Sequence, residues 1–367
     1  MTQETDAQLQ LTDQPAANAM TSGGEAMAFS FGDAESVIDR RELAAYFEIW
    51  HNGRWFEPPL PMDKLCQAFN MAPHHRSAVA LKINLLTGLQ VETDQLGADD
   101  FERFALDFLQ MGNAYLEDVP NMRGGLARAR HASARHVRAP TDGGGYFFVG
   151  SGLGYHKEHQ FAEGAICHLQ QPDVAQEIYG LPEWLSALQS GLLNENATLF
   201  RRRYYLNGAH AGFILYVNDQ FADQETAGKI AEKMKSAKGV GNFSNMFLYM
   251  PGGKKDGVQV LPIADVAAKD EFSGVKNISA QDMLAAHRVP PQLLGIVPTG
   301  AGGFGKPGEA LETFFQIEIA PIMRRMLSRV NGHFDAEILR FENFHCSDGS
   351  QITPEGRRIA AGSSEPD

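Results

Sequence analysis

Apolar residues recur along this chain in two different periods, and the change falls at Gly112. Before it, residues 98–111 (ADDFERFALDFLQM) place Phe101, Phe104, Leu106, Phe108 and Leu109 at near-helical spacing. Asp99 and Asp100 stand at the start, where carboxylates favour the helix dipole. The runs 62–71 and 74–86 predict two more helices, the second with Val79, Leu81, Ile83, Leu85 and Leu86 as its apolar positions. Arg40 to Trp50 predicts a helix further upstream. Between it and the others lies WFEPPLPMDK, whose Pro58, Pro59 and Pro61 enforce an extended connector. After Gly112 the segments AYLEDV, ARHVRA, YFFVG and AICHLQ are short, turn-bounded and β-like. Helices followed by strands make the class α+β.

The second half alternates again. Leu181 to Leu206 predicts one long helix with Pro182 near its start and Asn207-Gly208 as its stop, followed by a strand, GFILYVND. An amphipathic helix at 221–237 comes next. Two β-like runs, Asn245–Met250 and Gly257–Ile263, then surround the turn Pro251-Gly252-Gly253. A helix at 265–288, the Gly/Pro-rich segment VPPQLLGIVPTGAGGFGKPG and a last helix at 309–331 complete the series.

Charge singles out the ends. Residues 1–39 carry seven acidic residues and no Lys or Arg, and with almost no branched apolar residues before Phe29 the first 28 predict a disordered acidic arm. Residues 348–367 predict a polar tail. The whole chain has 32 Lys plus Arg against 45 Asp plus Glu, a formal charge of −13, so the part between the ends is only mildly acidic and is not an ordinary basic nucleic-acid binder. With 367 residues, 43% of them hydrophobic, the chain can build two or three domains with buried cores. Cys66, Cys167 and Cys346 form neither a disulfide framework nor a CxxC metal site, which suggests a reducing compartment. No apolar run approaches the ~18 residues of a membrane span, and the N-terminus lacks the order of a signal peptide. The expectation is a soluble protein made in a cytoplasm.

Candidate chemistry is sparse. Gly300-Ala-Gly-Gly-Phe-Gly305-Lys306 satisfies GxxxxGK before a helix, as a phosphate-cradling loop should. Pro307 breaks it, because a Ser or Thr hydroxyl belongs there for Mg²⁺ and a backbone N–H is lost at the helix start. The plainer reading is a loop that ends in an N1 proline. His156-Lys-Glu-His159 lacks the remaining ligands of a metal site, and His74-His75 are read as structural. Arg123, Arg128, Arg130, Arg135 and Arg138 form a run without an acidic residue, read either as a phosphate-binding stripe or as a solvated or subunit-facing surface. Arg201-Arg202-Arg203, near a helix C-terminus, partly answer the helix dipole and partly need acidic partners elsewhere. No nucleophile, base and orienter assemble, so the sequence implies no enzyme, no cofactor and no metal.

The stretches GNAYLED (112–118), HLQQPDVAQEIYGLPEWLSALQSGLLNENATLFRRRYYLNGAHAGFILYVND (168–219) and HRVPPQLLGI (287–296), with the final helix, resemble the portal vertex proteins of P2-like tailed phages, in the PBSX portal family. The likeness runs from about Phe29 to Phe344. It implies a ring, normally a dodecamer, at one vertex of a virion capsid, assembled in the host cytoplasm. Double-stranded DNA passes through the ring, driven by a separate terminase. Capsid or scaffold proteins and head-completion or connector proteins are further partners, and no membrane is involved. The implied map is an arm at 1–28, an N-terminal wing at 29–218, stem helices at 219–238 and 265–288, and a β clip at 239–264. A tunnel loop at 289–308, a C-terminal wing or crown helix at 309–347 and the tail at 348–367 complete it. The tunnel loop then includes Thr299, Gly300, Gly302, Gly303, Phe304, Gly305 and Lys306. Terminase and connectors dock on the clip turn Gly253, Lys254, Lys255 and Asp256, and the two β-like clip runs pair across subunits. Arg201, Arg202 and Arg203, with the 123–138 arginines, form bridges between subunits. The rivals are a nucleotide-dependent enzyme using Gly300–Lys306 and a nonspecific DNA-binding scaffold led by the arginine run.

Overall fold

The computed structural model describes residues 27–28, 51–152, 155–174, 176–206, 213–217, 246–249, 258–262, 267–296 and 306–361. They divide into two units, one of residues 1–34 with 202–266 and a larger one of 35–201 with 267–367. In chain order the first elements are β1 (Met27–Ala28), α1 (Met62–Ala68), α2 (Pro73–Leu89), β2 (Gln90–Val91) and α3 (Ala98–Met111). Strands β3 (Asn113–Pro120), β4 (Leu126–Ala132), β5 (Val137–Arg138), β6 (Phe147–Gly152), β7 (Tyr155–Gln160) and β8 (Ile166–Gln170) follow. A 3₁₀ turn, Glu183–Ala187, leads into α4 (Leu188–Leu206), so the long segment from Leu181 is helical from Glu183 but opens with a tighter turn. Then come β9 (Phe213–Val217), β10 (Met246–Tyr249), β11 (Val258–Pro262) and α5 (Ala267–Ala286). A 3₁₀ turn (Pro291–Leu294), α6 (Pro307–Phe314), a π-helical turn (Phe315–Ile319) and α7 (Ala320–Phe334) precede four two-residue strands: β12 (Arg340–Phe341), β13 (Phe344–His345), β14 (Gln351–Ile352) and β15 (Arg358–Ile359). The helix expected at 40–50 and the one at 221–237 lie outside the described residues.

In the larger unit, α3 packs against the antiparallel sheet β4-β3-β8, while α7 lies along β8. The core between them holds Leu86, Phe101, Phe104, Phe108, Leu116, Leu169, Phe314, Phe315, Met323 and Met326. Burying each such side chain contributes roughly 1.5–3 kcal/mol. A second core gathers Leu60, Leu65, Met71, Met111, Tyr115, Phe161, Trp184, Leu192 and Met283 around the start of α4.

The free edge of β4 is covered by polar groups. Ala129 N–H donates to the Gln95 carbonyl at 2.7 Å, His131 N–H to Asp100 Oδ1 at 3.0 Å, and Ala134 N–H to Asp107 Oδ2 at 2.7 Å. Asp100 and Asp107 project from α3 seven residues apart, two helical turns, so both reach this edge.

Gly112 joins α3 to β3 with φ 69°, and a Cβ there would stand 2.5 Å from the Leu181 carbonyl carbon. The approach is fixed by Asn113, whose Oδ1 accepts from Gly180 N–H at 2.7 Å and whose Nδ2 donates to the Gly180 carbonyl at 2.8 Å. Gly112→Ala should therefore destabilise by more than the about 1–2 kcal/mol of a left-handed L-residue, because backbone must also move. An unchanged thermal unfolding midpoint would refute this.

The polar tail expected from Asp348 is instead folded through residue 361. β13, β14 and β15 form an antiparallel sheet, Ile352 and Thr353 are buried, and Phe344 stacks on Phe315 at 4.4 Å. Apolar residues are too few there to show a period, and the sheet gains its hydrophobic contacts from α6 and the π turn instead.

The acidic arm ends in β1, a strand rather than disordered chain. Within one chain the two clip runs, β10 and β11, flank β9, making the order β1-β10-β9-β11. A third strand removes the marginality of a two-stranded hairpin.

Candidate functional site

The Gly-rich segment leaves α5 through a hydrogen-bonded reversal. Val289 N–H donates to the Leu284 carbonyl and Arg288 N–H to the Ala285 carbonyl, each at 3.0 Å, with Arg288 in the left-handed region at φ 55°. This is the Schellman pattern, in which glycine is the usual residue at the left-handed position. Pro290 follows and prevents further helix. Arg288 stands there because of its side chain. Its Nε donates to Glu318 Oε2 at 2.6 Å, and Nη2 donates to Glu183 Oε2.

Glu318 lies on the far side of the segment, in the π turn that follows α6. An i→i+5 turn carries one residue more than an α-turn, so consecutive residues Glu318, Ile319 and Ala320 all reach the interior. There Glu318 Oε1 accepts from Lys82 Nζ at 2.6 Å, with the side chains 5% and 3% exposed. Burial pushes the Glu318 carboxyl up, but Lys82 and Arg288 together hold it below its usual range. The same two carboxylates, Glu318 and Glu183, hold the Arg288 guanidinium above its usual range.

A second chain of buried groups adjoins this clamp. Gln110 Nε2 donates to the Leu65 carbonyl at 2.7 Å, which leaves its Oε1 to accept from His75 Nε2–H at 3.0 Å. The His75 Nδ1 of that tautomer must accept, and its partner is His287 Nε2 at 2.9 Å. Burial lowers the pKa of His75 to about 4; burial, with His75, Lys82 and Arg288 nearby, lowers that of His287 to about 2. Both rings are neutral at physiological pH. The result is a glycine-rich segment with rigid ends, tied to α2, α3 and the 183–187 turn.

A second tie lies outside the first. Glu312 Oε1 accepts from Ser347 N–H at 2.8 Å and Ser347 Oγ–H at 2.6 Å, and Glu312 Oε2 faces Arg358 at 3.3 Å. The folded C-terminal strands thereby hold α6, which begins at the segment's end.

Sequence reasoning did not find the clamp. His75 and Lys82 are in phase with Val79 and Leu86, at i, i+4, i+7 and i+11 of one helix, so both fall on the buried stripe. That phase is the signal which marks them. Thr299, Gly300, Gly302, Gly303, Phe304 and Gly305 lie outside the described residues, as do Gly253, Lys254, Lys255 and Asp256. Lys306 caps α6, with Pro307 at the first helical position, and its Nζ donates to Glu309 Oε1 at 2.6 Å. Arg201 and Arg202 are exposed, and the Arg203 side chain lies outside the described residues.

The arginine run is corrected. Arg128 meets Asp100 at 2.6 Å, Arg130 meets Glu117 at 2.6 Å, Arg135 meets Asp63 at 2.5 Å and Arg138 meets Glu57 at 3.3 Å. Strand pairing and α-helix packing bring acids from other segments to these four cations, so within the chain they do not form a free phosphate stripe. His159 is exposed on the edge strand β7, beside the Glu158–Arg54 ion pair. Among the described residues no group of three or more His, Cys, Asp or Glu could hold a metal ion, and no helix is long and apolar enough to cross a membrane.

The model of the phage portal protein family matches residues 82–345, from Lys82 of the clamp to the first strand of the C-terminal sheet. The chain is 42% identical over 334 residues to a protein of Escherichia phage P2 described as "Probable portal protein", covering 91% of this chain and 96% of that one. A protein of Haemophilus phage HP1 with the same description is 35% identical over 282 residues, covering 76% and 82%. Among solved structures, the neck of a native GTA particle computed with C12 symmetry gives a TM-score of 0.52 at 18% identity, covering 76% of this chain and 84% of that one. An HK97 family phage portal protein from Corynebacterium diphtheriae gives 0.50 at 15% identity, covering 76% and 94%. The fold is thus shared with portal and neck chains. The chain belongs to the phage portal protein family. Its function is that of a portal vertex protein in phage DNA packaging.

Proposed function

We propose that this chain closes into a homo-oligomeric ring, a dodecamer, in which the segment 289–308 of each copy faces double-stranded DNA in the axial channel. The observation that carries this reading is the clamp of Arg288, Glu318 and Lys82. It ties down the residues that flank a segment whose sequence holds six glycines between Gly295 and Gly308. DNA of any sequence must slide past, so the channel must not bind phosphates tightly. A mildly acidic folded part answers that need, and four arginines of the 123–138 run are already neutralised within the chain.

Residues 29–218 would then be the wing, 219–238 and 265–288 the stem, 239–264 the clip and 309–347 the crown side. The work of DNA movement belongs to a terminase ATPase. Arg201 to Arg203 bridge subunits, since Arg201 and Arg202 point to solvent in the single chain. Arg201 also lies close enough to Lys276 to add to its burial in lowering that amine's pKa, a local excess of cations that a neighbour's acids would relieve. Negative-stain imaging of the purified chain tests the ring directly; a stable monomer at all concentrations in moderate salt defeats it.

Lys306→Ala should leave rings intact, since its pair with Glu309 is exposed at both ends and adds little. DNA packaging or retention should fall, because the loop loses its cation. If the variant instead abolished an ATPase activity of the wild-type chain, the nucleotide-enzyme reading would replace this one. Reversing Lys254 and Lys255 to Glu should cut terminase binding in a pull-down while rings persist; unchanged binding removes the clip turn as docking surface.

A further inference from the structure

Three large apolar side chains stand exposed on helices of the larger unit: Leu193 at 47%, Ile278 at 63% and Ile317 at 64%. A single exposed apolar residue is ordinary. Two of these are neighbours, because α4 and α5 pass antiparallel: Ser190 Oγ donates to Asp282 Oδ2 at 2.8 Å, and Asn194 Nδ2 donates to Ser279 Oγ at 2.9 Å. Leu193 and Ile278 each stand one residue before such a contact. In two antiparallel helices that position falls on one side of the pair, here the side away from Leu188 and Met283 of the second core. Asp282 lies one turn beyond Ile278, on the same exposed stripe.

Ile317 opens a stripe on another face. The π turn carries Glu318, Ile319 and Ala320 to the interior and leaves Ile317 outside. Pro321 and Arg324 follow at four and seven residues, so all three share one side of the helix. Four helical residues span about 6 Å and seven about 10 Å, so Asp282 and Arg324 stand at similar distances from Ile278 and Ile317. Side chains lean toward a helix N-terminus, which brings the long Arg324 side chain back toward Ile317 and closes the difference. Among the described residues Arg324 has no acid partner and Asp282 has no cation partner. One face thus offers two apolar side chains beside a carboxylate, and the other an apolar side chain beside a guanidinium.

We propose that these two faces meet between neighbouring copies, with Ile317 of one copy seated on Leu193 and Ile278 of the next, and Arg324 of the first paired with Asp282 of the second. The inference rests on the ring reading above and names a contact that joins the larger units of adjacent copies. Two different faces of one chain, each supplying what the other lacks, make a heterologous contact, which repeats around a closed ring. Both faces are present on every copy in equal number, which suits a second copy of this chain as the occupant. Covering the three apolar side chains drives association, and the ion pair fixes its register.

Exchange of charge tests the contact. Asp282→Arg places two cations in every contact and Arg324→Asp two anions, so each variant alone should need at least about tenfold more protein than the unaltered chain to form rings. Both positions are exposed, so the thermal unfolding midpoint should stay that of the unaltered chain. Mixed in equal amounts, the two variants should form rings again, because an alternating order restores one acid and one base to every contact. A second measurement leaves charge aside. A chain carrying Ile278→Cys, mixed with one carrying Ile317→Cys and oxidised in the rings, should give a covalent dimer on a non-reducing gel. Neither chain by itself should give more dimer than the unaltered chain, whose own cysteines are Cys66, Cys167 and Cys346.

A single charge variant that assembles as readily as the unaltered chain overturns the proposal, as does a mixture of folded variants that stays unassembled. Should either charge variant fail to fold, the cysteine mixture decides. Rings without the mixed covalent dimer refute this contact and leave the ring reading standing, whereas an unaltered chain that forms no rings at all refutes that reading first.

Discussion

Glu318→Gln should destabilise the larger unit by about 3–5 kcal/mol, the usual cost of removing one partner of a buried ion pair. Lys82, only 3% exposed, would lose the carboxylate it pairs with, and the left-handed Arg288 would keep its backbone strain without its main partner. Urea unfolding of the variant and the parent measures the difference. Two controls separate charge from packing. Arg288→Gly should cost much less, because glycine suits φ 55° and leaves the Lys82–Glu318 pair matched. Lys82→Met with Glu318→Gln should recover much of the loss, because it removes the stranded charge. A double variant as unstable as Glu318→Gln alone would mean that shape rather than charge governs the site.

Acid should weaken the same unit well before its carboxylates titrate. Three histidines are buried as neutral rings: His75, His287 and His168, the last with a pKa lowered by burial to about 3. His168 has no place for a second proton. Asn113 Oδ1 accepts from its Nε2–H at 3.0 Å, while its Nδ1 accepts from the Tyr146 hydroxyl at 3.2 Å. Unfolded histidine takes up a proton near pH 6.5, whereas these take one only far below that. Between the two values the unfolded chain binds more protons, so stability falls as pH falls from about 6.5 and is flat above it. At pH 5 the expected loss is about 2 kcal/mol for each histidine. His75 and His287 share a hydrogen bond, so their losses are not independent. Urea titrations at pH 8, 7, 6 and 5 check this; equal stability at pH 5 and pH 7 would be contrary to it.

Much of the element order was legible. Residues 98–111 form a helix with those bounds, since five apolar residues at helical spacing between a start with Asp99 and Asp100 and a stop at Gly112 leave little choice. The turn to strands after Gly112 held for the same reason. Pro307 stands at the first helical position, as its missing N–H and fixed φ demand. The strand β4 within the arginine run was missed, because alternating Ala and Arg carry no apolar period, and its hydrophobic neighbours come from α3 instead. Residues 344–361 were missed for a like reason: the aromatic partner of Phe344 is Phe315, which lies in a helix 29 residues earlier in the sequence.

The sequence by itself determined the α+β class, the helices and strands with a clear period, the break in GxxxxGK at Pro307, and the likeness to portal vertex proteins, which the family match bears out. Each of these depends on residues close together in the chain or on a long run of matched text. Only the tertiary structure decided which charges are free. Lys82 and Glu318 are 236 positions apart, and Arg135 and Asp63 are 72 apart; no local pattern couples them. It also decided that β10 and β11 flank β9 instead of pairing with each other. Strand neighbours are chosen by the backbone groups each edge leaves open and by what packs on their faces. That choice is made by the folded chain as a whole rather than by any segment of it.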